Sequence, residues 1–376
     1  MGSVWQPSAR PERHDRRRHG QQPRDRENRR RDHDRSAHER HGRDGRTGWA
    51  IRGTGAYLPS RRLSSREVSR SLGLDPSWIE DRTGIRHRHV AAPGQAASDL
   101  AARAARDALD DAGLDAGDIG LIVLGTSTPD ELGPSTACRV QAHLGAARAA
   151  AFDIAAACTG FVFGLSAAVG WLAQHPEPAP HALVIGVEVY SRFLDPGDRA
   201  TAALFGDGAA AAVIGPAPGP YGIGPITIGS DGTRAGDVLI PAGGSRRPAS
   251  TDTLTGHGHT IHMDGRAVRA FITATFPRLV ADAVADAGIK PADLALVVPH
   301  QPNPRLVESL AADAGLDPAQ LAIVGRDVGN IGAAGIPYAL HRSLREHRIT
   351  AGDLVLIAGF GAGVTWGRAL ITWPPS

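Results

Sequence analysis

The most reactive side chain in this sequence is a cysteine. Cys158 stands in Phe152-Asp-Ile-Ala-Ala-Ala-Cys158-Thr-Gly-Phe-Val-Phe-Gly164. The apolar run up to Ala157 reads as a strand, and Gly160 onward as a helix of small and apolar residues. A cysteine at that junction sits at a helix N-terminus, where free N–H groups and the macrodipole favour the thiolate. The thiolate is the nucleophilic form, so the placement suits covalent acyl chemistry. The plainer reading is a small buried hydrophobe, as most free cysteines are. Cys138, in Ser135-Thr-Ala-Cys-Arg-Val-Gln141, falls mid-helix and reads as packing.

Two further residues stand where α/β proteins place functional groups. His300 ends the apolar run Leu294–Val298 and opens the turn Pro299-His-Gln-Pro-Asn-Pro-Arg305, a strand end. Asn330 lies in the glycine-rich Val328-Gly-Asn-Ile-Gly-Ala-Ala-Gly-Ile-Pro337. Taken singly, each is as readily structural. Gly359-Phe-Gly-Ala-Gly-Val-Thr-Trp-Gly367 is another tight loop, whose exposed N–H groups could hold an oxyanion. Two other patterns carry less. His257-Gly-His259 with His262 lacks carboxylate or cysteine company at ligand spacing and reads as a solvated loop. Gly53-Thr-Gly55 lacks the further glycine and acidic residue of a dinucleotide site.

These residues need a scaffold of alternating strands and helices, and the chain supplies one. Ser98–Ala112 opens with a Ser-Asp cap signal and runs helically to Gly113; the short apolar run Ile119–Leu124 suits a buried strand. The same phrase recurs: Asp111–Leu124 aligns with Asp286–Pro299 at an offset of 175. Leu183-Val-Ile-Gly186 and Leu354-Val-Leu-Ile357 repeat it at 171. Two echoes in one order predict two related halves, 48–218 and 219–376.

Composition bounds the rest. The 376 residues are 42% hydrophobic and 21% charged, ordinary for a globular protein. Two cysteines exclude a disulfide scaffold and a four-cysteine zinc site. No apolar run approaches the ~18 residues of a membrane span, and the opening MGSVWQPSAR has no apolar signal core. A soluble, cytoplasmic protein is the expectation. Residues 1–46 hold 14 Arg against 8 acidic residues, net +6, which leaves 47–376 at −4. This arm has almost no apolar side chains, so 1–47 is expected to be a disordered tail. Nothing in the body looks like a nucleic-acid module.

Taken together, the residues resemble β-ketoacyl-acyl-carrier-protein synthase III, of the thiolase superfamily, over nearly all of 50–372. The marks are Trp78-Ile-Glu-Asp-Arg-Thr-Gly-Ile-Arg86, Ala157-Cys-Thr-Gly-Phe161, Phe205-Gly-Asp-Gly208, Met263-Asp-Gly-Arg266, His300-Gln-Pro-Asn303, Gly329-Asn330 and Gly359-Phe-Gly-Ala-Gly363. Each alone is modest; the ordered set is specific. The resemblance implies a duplicated, five-layered α-β-α-β-α thiolase-like fold and a homodimer. It implies that Cys158 takes an acyl primer from acyl-coenzyme A, and that His300 and Asn330 bind the thioester carbonyl of malonyl-acyl-carrier protein as CO2 leaves. The acyl oxyanion would rest on the N–H groups of Cys158 and Ala362. Trp78 and Arg82 match positions that clasp the coenzyme A adenine, Arg199 and Asn303 lie further along its channel, and Phe360 lies near the reacting centre. No metal or redox cofactor is implied. The coarser alternative is acyl transfer to a hydroxyl or amine without a new carbon–carbon bond.

The sequence departs from the family at Thr159, where Ser or Ala is usual, and at Gly329-Asn-Ile-Gly-Ala-Ala-Gly335, which lacks two hydroxyls. The usual triple glycine is Gly361-Ala-Gly363. Loop Pro129-Asp-Glu-Leu-Gly-Pro134 matches the segment that reaches a partner's tunnel, and Leu132-Gly133 lacks a large aromatic there, which predicts room for more than acetyl. The sequence does not separate fatty-acid initiation from the priming of a polyketide. The tail yields the first prediction: a chain starting at Gly48 keeps its melting temperature and its turnover at about 0.15 M salt. A several-fold rise in KM for carrier protein, abolished at high salt, would instead make the arm a recruiter of substrate.

Overall fold

The computed structural model describes residues 48–175, 181–217 and 219–375, so the disorder expected for 1–47 lies outside the described residues. The first sheet is built from β1 (Gly48–Tyr57), β2 (Ile119–Gly125), β3 (Ala150–Ile154), β4 (His181–Val189) and β5 (Asp207–Ala217), in the order β1-β5-β4-β2-β3. The second contains β6 (Gly222–Ser230), β7 (Leu296–Pro299), β8 (Leu354–Gly361) and β9 (Thr365–Thr372), in the order β7-β8-β9-β6. From β1 inward the pairings run antiparallel, antiparallel, parallel, parallel. From β6 inward they run antiparallel, antiparallel, parallel. A single parallel bridge, Val297 to Leu321, stands where β3 would follow. The sequence echoes fall on β2 with β7 and on β4 with β8.

Six helices complete the layers: α1 (Ala97–Ala112), α2 (Thr136–Leu144), α3 (Gly160–Leu172), α4 (Gly265–Ala287), α5 (Pro304–Ser309) and α6 (Gly335–Arg345). Strand period decides which residue meets which layer. Ile122 and Leu124 pack with α1 and α2 on the outer side, while Leu121 and Val123 join α3 and α6 in the centre. In the second sheet Val355 and Ile357 face the same central helices, and Leu356 and Ala358 face α4 and α5. Strands buried on both faces are apolar throughout, which is why these runs are continuous rather than alternating. The result is five layers, α-β-α-β-α, as the resemblance implied.

The Gly53-Thr-Gly55 pattern is a packing device. A Cβ at Gly55 would lie 2.2 Å from the Ala104 carbonyl oxygen, so only glycine lets α1 lie against β1. Carboxylates of α1 then accept the free N–H groups of β1, Asp111 from Thr54 at 2.8 Å and Asp107 from Ala56 at 2.9 Å. Closer contacts pin the two central helices. A Cβ on Gly125 would sit 2.7 Å from the carbonyl carbon of Gly160, at the start of α3. One on Gly186 in β4 would sit 2.1 Å from the oxygen of Ala333, just before α6. Gly186→Ala therefore overpacks a backbone contact and is expected to cost at least ~1–3 kcal/mol. A urea midpoint equal to that of the wild type would contradict this.

Candidate active site

Cys158 occupies a 3-10 turn, Ala157–Thr159, between β3 and α3. Ala157 has φ +45°, a left-handed conformation costly for a residue with a side chain. Thr159 is buried, donates to the Ala156 carbonyl at 2.7 Å and lies 2.8 Å from the Thr365 hydroxyl, so the residue unusual for the family braces the turn against β9. Gly361 closes on it from the β8 end: a Cβ there would be 3.0 Å from the Cys158 nitrogen and 3.1 Å from its Cβ.

The sulfur is not poised as a thiolate, contrary to its expected helix-terminus activation. Burial pushes the Cys158 thiol up to about 12, and the nearby Glu188 carboxylate adds to the rise. An apolar shell that removes water from the anion outweighs the favourable dipole.

His300 follows β7 and is fixed by its own N–H, which donates to the Ala358 carbonyl at 2.8 Å. The ring is 2% exposed and meets Phe360 edge-on with centroids 5.6 Å apart. Burial drives the imidazole down to about 3, so it is neutral in any ordinary buffer and carries a single ring N–H. Asn330 is held by its backbone, donating to Leu204 O at 2.8 Å and accepting from Gly206 N–H at 3.0 Å. Its side-chain oxygen accepts from the Gly332 N–H at 3.0 Å, which leaves the amide hydrogens to serve as donors.

One largely apolar cavity of about 520 Å³ gathers Cys158, His300, Asn330, Asn303, Phe360 and Ala362. The other residues assigned from sequence form a separate group. Arg82 stacks its guanidinium 4.5 Å from the Trp78 ring centre and Arg199 lies 5.9 Å from it. Neither the indole nor the two arginines line the cavity. Asn303 joins the two groups: its oxygen caps α5 at Leu306 N–H, 3.0 Å, and its amide donates to the Arg82 carbonyl, 3.2 Å. The three histidines of 257–262 each find a local partner. His257 lies 3.3 Å from Asp195, His259 2.9 Å from the Thr253 hydroxyl and His262 3.1 Å from the His257 carbonyl.

Two residues of the site escaped the reading of the sequence. Glu188 is fully buried near the end of β4, and Tyr190, 4% exposed, lines the cavity beside Cys158. The legible signal was a lone carboxylate in the otherwise apolar run Ala182–Val189. Asp207, the acid of Phe205-Gly-Asp-Gly208, does structural work, accepting from the N–H groups of Ala91 at 2.7 Å and Ser191 at 2.8 Å.

The depressed His300 predicts a pH effect on stability. Below about 6.5 the unfolded chain takes a proton at this ring that the folded site refuses until about 3, so stability falls as pH drops through that window. Between pH 7 and pH 5 the loss is about 2 kcal/mol from this group. Urea titrations at the two pH values should show His300→Asn losing that much less than the wild type.

Comparison with known proteins places this geometry. The family models described as 3-Oxoacyl-[acyl-carrier-protein (ACP)] synthase III and its C terminal match residues 152–232 and 284–373. The acetoacetyl CoA synthase of Streptomyces sp. (strain CL190) is 43% identical over 327 residues, covering 86% of this chain and 98% of its own. The beta-ketoacyl-[acyl-carrier-protein] synthase III of Caldanaerobacter subterraneus subsp. tengcongensis is 41% identical over 325 residues, 86% and 97% of the two chains. The crystal structure of 3-oxoacyl-(acyl carrier protein) synthase III from Pseudomonas aeruginosa PAO1 superposes with TM-score 0.79 at 37% identity, over 88% of this chain and 99% of that one. A priming β-ketosynthase of a polyketide biosynthetic pathway does so with TM-score 0.80 at 33% identity, over 88% and 97%. With its length so matched and its layers those of the thiolase fold, the chain belongs to the 3-oxoacyl-[acyl-carrier-protein] synthase III family.

Proposed function

We propose that the protein is a decarboxylative condensing enzyme that starts an acyl chain. Cys158 attacks the thioester carbonyl of an acyl-coenzyme A primer, the carbon–sulfur bond to coenzyme A breaks, and the primer is held as an acyl-cysteine. A malonyl thioester, carried on acyl carrier protein, then enters. His300 and Asn330 donate hydrogen bonds to its thioester carbonyl. As the carboxylate leaves as CO2, the electron pair of the broken bond becomes an enolate resting on those donors. Its α-carbon attacks the acyl carbon, whose oxyanion rests on the Cys158 and Ala362 N–H groups, and the Cys158 sulfur is expelled. The observation that carries this reading is the meeting of an acylable cysteine with two uncharged donors in one apolar cavity. A neutral imidazole can donate without first being desolvated as a cation.

The clasp of Trp78, Arg82 and Arg199, tied to the cavity by Asn303, is the proposed seat of the coenzyme A nucleotide end. Leu132, 88% exposed, and Phe152, 40% exposed on the edge strand β3, support a homodimer in which a second copy covers them. The Streptomyces relative is an acetoacetyl CoA synthase, which makes an acceptor carried on coenzyme A worth assaying beside carrier protein.

Incubation with acyl-coenzyme A should add one acyl mass to the intact protein, and Cys158→Ala should remove it. With malonyl-carrier protein or malonyl-coenzyme A as acceptor, CO2 release should fall ~10²–10³-fold in Asn330→Ala and in His300→Ala. An adduct that persists in Cys158→Ala would overturn the assignment. Acyl transfer to an added alcohol or amine without CO2 release would replace it with the non-condensing reading.

A further inference from the structure

One ring nitrogen of His300 has no use in the chemistry so far. Its Nδ1 is sealed from solvent and has no hydrogen-bond partner among the described residues. The groups nearest in sequence cannot serve it. Gln301 is engaged elsewhere: its oxygen accepts from the N–H groups of Val324 at 2.8 Å and Gly325 at 2.9 Å, and its amide donates to the Ala322 carbonyl. Pro302, two residues on, has no N–H to offer. A buried polar atom left without a partner is costly, so the space around it carries information.

That space is a second, small cavity of about 10 Å³, room for one water molecule and no more. His300, Asn330 and Gly335 are among the residues that line it. His300 and Asn330 also line the large cavity, so the small one lies behind the two donors of the proposed condensation. A Cβ on Gly335 would stand 3.7 Å from Nδ1 and 4.0 Å from the Cγ1 of Ile331, ordinary contact distances. Its φ of −62° and ψ of −45° are right-handed helical. Neither backbone nor packing therefore demands glycine at this position. What its bareness provides is the space against Nδ1.

We propose that a single water molecule occupies this space and donates a hydrogen bond to Nδ1 of His300. With Nδ1 accepting, the one ring proton stays on Nε2, the nitrogen left to face the cavity that holds Cys158. The run from the water O–H through the ring to Nε2–H is polarised in one direction, which strengthens the donor aimed at the enolate. The water also ties the ring to a fixed wall, so the donor does not reorient as charge develops. The effect on rate rests on the condensing role proposed above; the water site does not.

Two substitutions at Gly335 separate these parts. Gly335→Ala puts a methyl group where the water would stand, and Gly335→Ser puts there a hydroxyl that can donate to Nδ1 instead. Both residues suit a helical backbone better than glycine, so neither variant is expected to unfold. The ring nitrogens are read by NMR of protein isotope-labelled in histidine, with His300→Asn identifying the His300 signals. In the wild type the proton should be on Nε2, and the Nδ1 signal should lie upfield of a bare lone pair, as that of a hydrogen-bond acceptor does. Gly335→Ala should move Nδ1 downfield and lower kcat for CO2 release about tenfold with little change in KM, and Gly335→Ser should bring both back. A proton on Nδ1 in the wild type, or an Nδ1 signal unmoved by Gly335→Ala, would overturn the water site. Equal loss of rate in both variants, with the Nδ1 signal restored only in Gly335→Ser, would overturn its part in catalysis. A wild type whose Nδ1 responds as expected yet releases no CO2 would overturn the function proposed above and support the water site.

Discussion

Two backbone contacts too close to admit a β-carbon, and a third that leaves one little room, hold the chemistry in register. Gly125 lies under the first turn of α3, Gly186 under the turn before α6, and Gly361 against the Cys158 backbone. The first two bring a strand end and a helix start nearer than side chains would allow. These junctions carry Cys158 at one end and Asn330 at the other, so their mutual position is set by main-chain packing rather than by flexible side chains. Packing of this density resists small displacements, which suits a site where a misplacement of about 1 Å costs orders of magnitude in rate.

Burial then sets the charge states. The same exclusion of water that raises the Cys158 thiol also strips His300 of its proton and lifts Glu188. All three shifts run toward the neutral form, as desolvation demands. A neutral pocket admits an acyl chain readily and stabilises charge only where donors have been placed for it. The bracing of Thr159 against Thr365 and of the Asn330 loop against Leu204 and Gly206 is what such donors require, since they must not reorient as charge develops.

Much of this was legible in the sequence, for a definable reason. The echoes at 111–124 and 286–299 mark β2 and β7, because strands buried on both faces leave continuous apolar runs in any register. Cys158, His300 and Asn330 stand out because each interrupts such a run or a glycine turn with a reactive or amide group. What was not legible depends on three-dimensional environment. Helix-end reasoning favoured a thiolate at Cys158, because a sequence shows the dipole and not the apolar shell. The sequence set Trp78 with Arg82 and put Arg199 with Asn303; that Arg199 lies over Trp78, that the three stand apart from the cavity and that Asn303 reaches the Arg82 carbonyl arise from tertiary packing. Tyr190 has no local marker; its proximity to Gly332 joins residues distant in the chain. The pair Gly53 and Gly55 is a caution of another kind, since glycines placed for helix-on-strand contact look like the beginning of a phosphate loop.

The two sheets repeat one succession of pairings, and the turns before α3 and α6 occupy matching stations within it. One station holds a sulfur, and an amide, Asn330, stands just ahead of the other. An architecture with near twofold likeness is thereby given a polarity: a molecule lying across the centre meets different chemistry at its two ends and cannot be read in reverse. Among the described residues neither half holds a spare copy of what the other contributes, so damage at either turn has no backup there. Repetition gave the protein its frame, and the loss of equivalence at a single pair of turns gave that frame a direction.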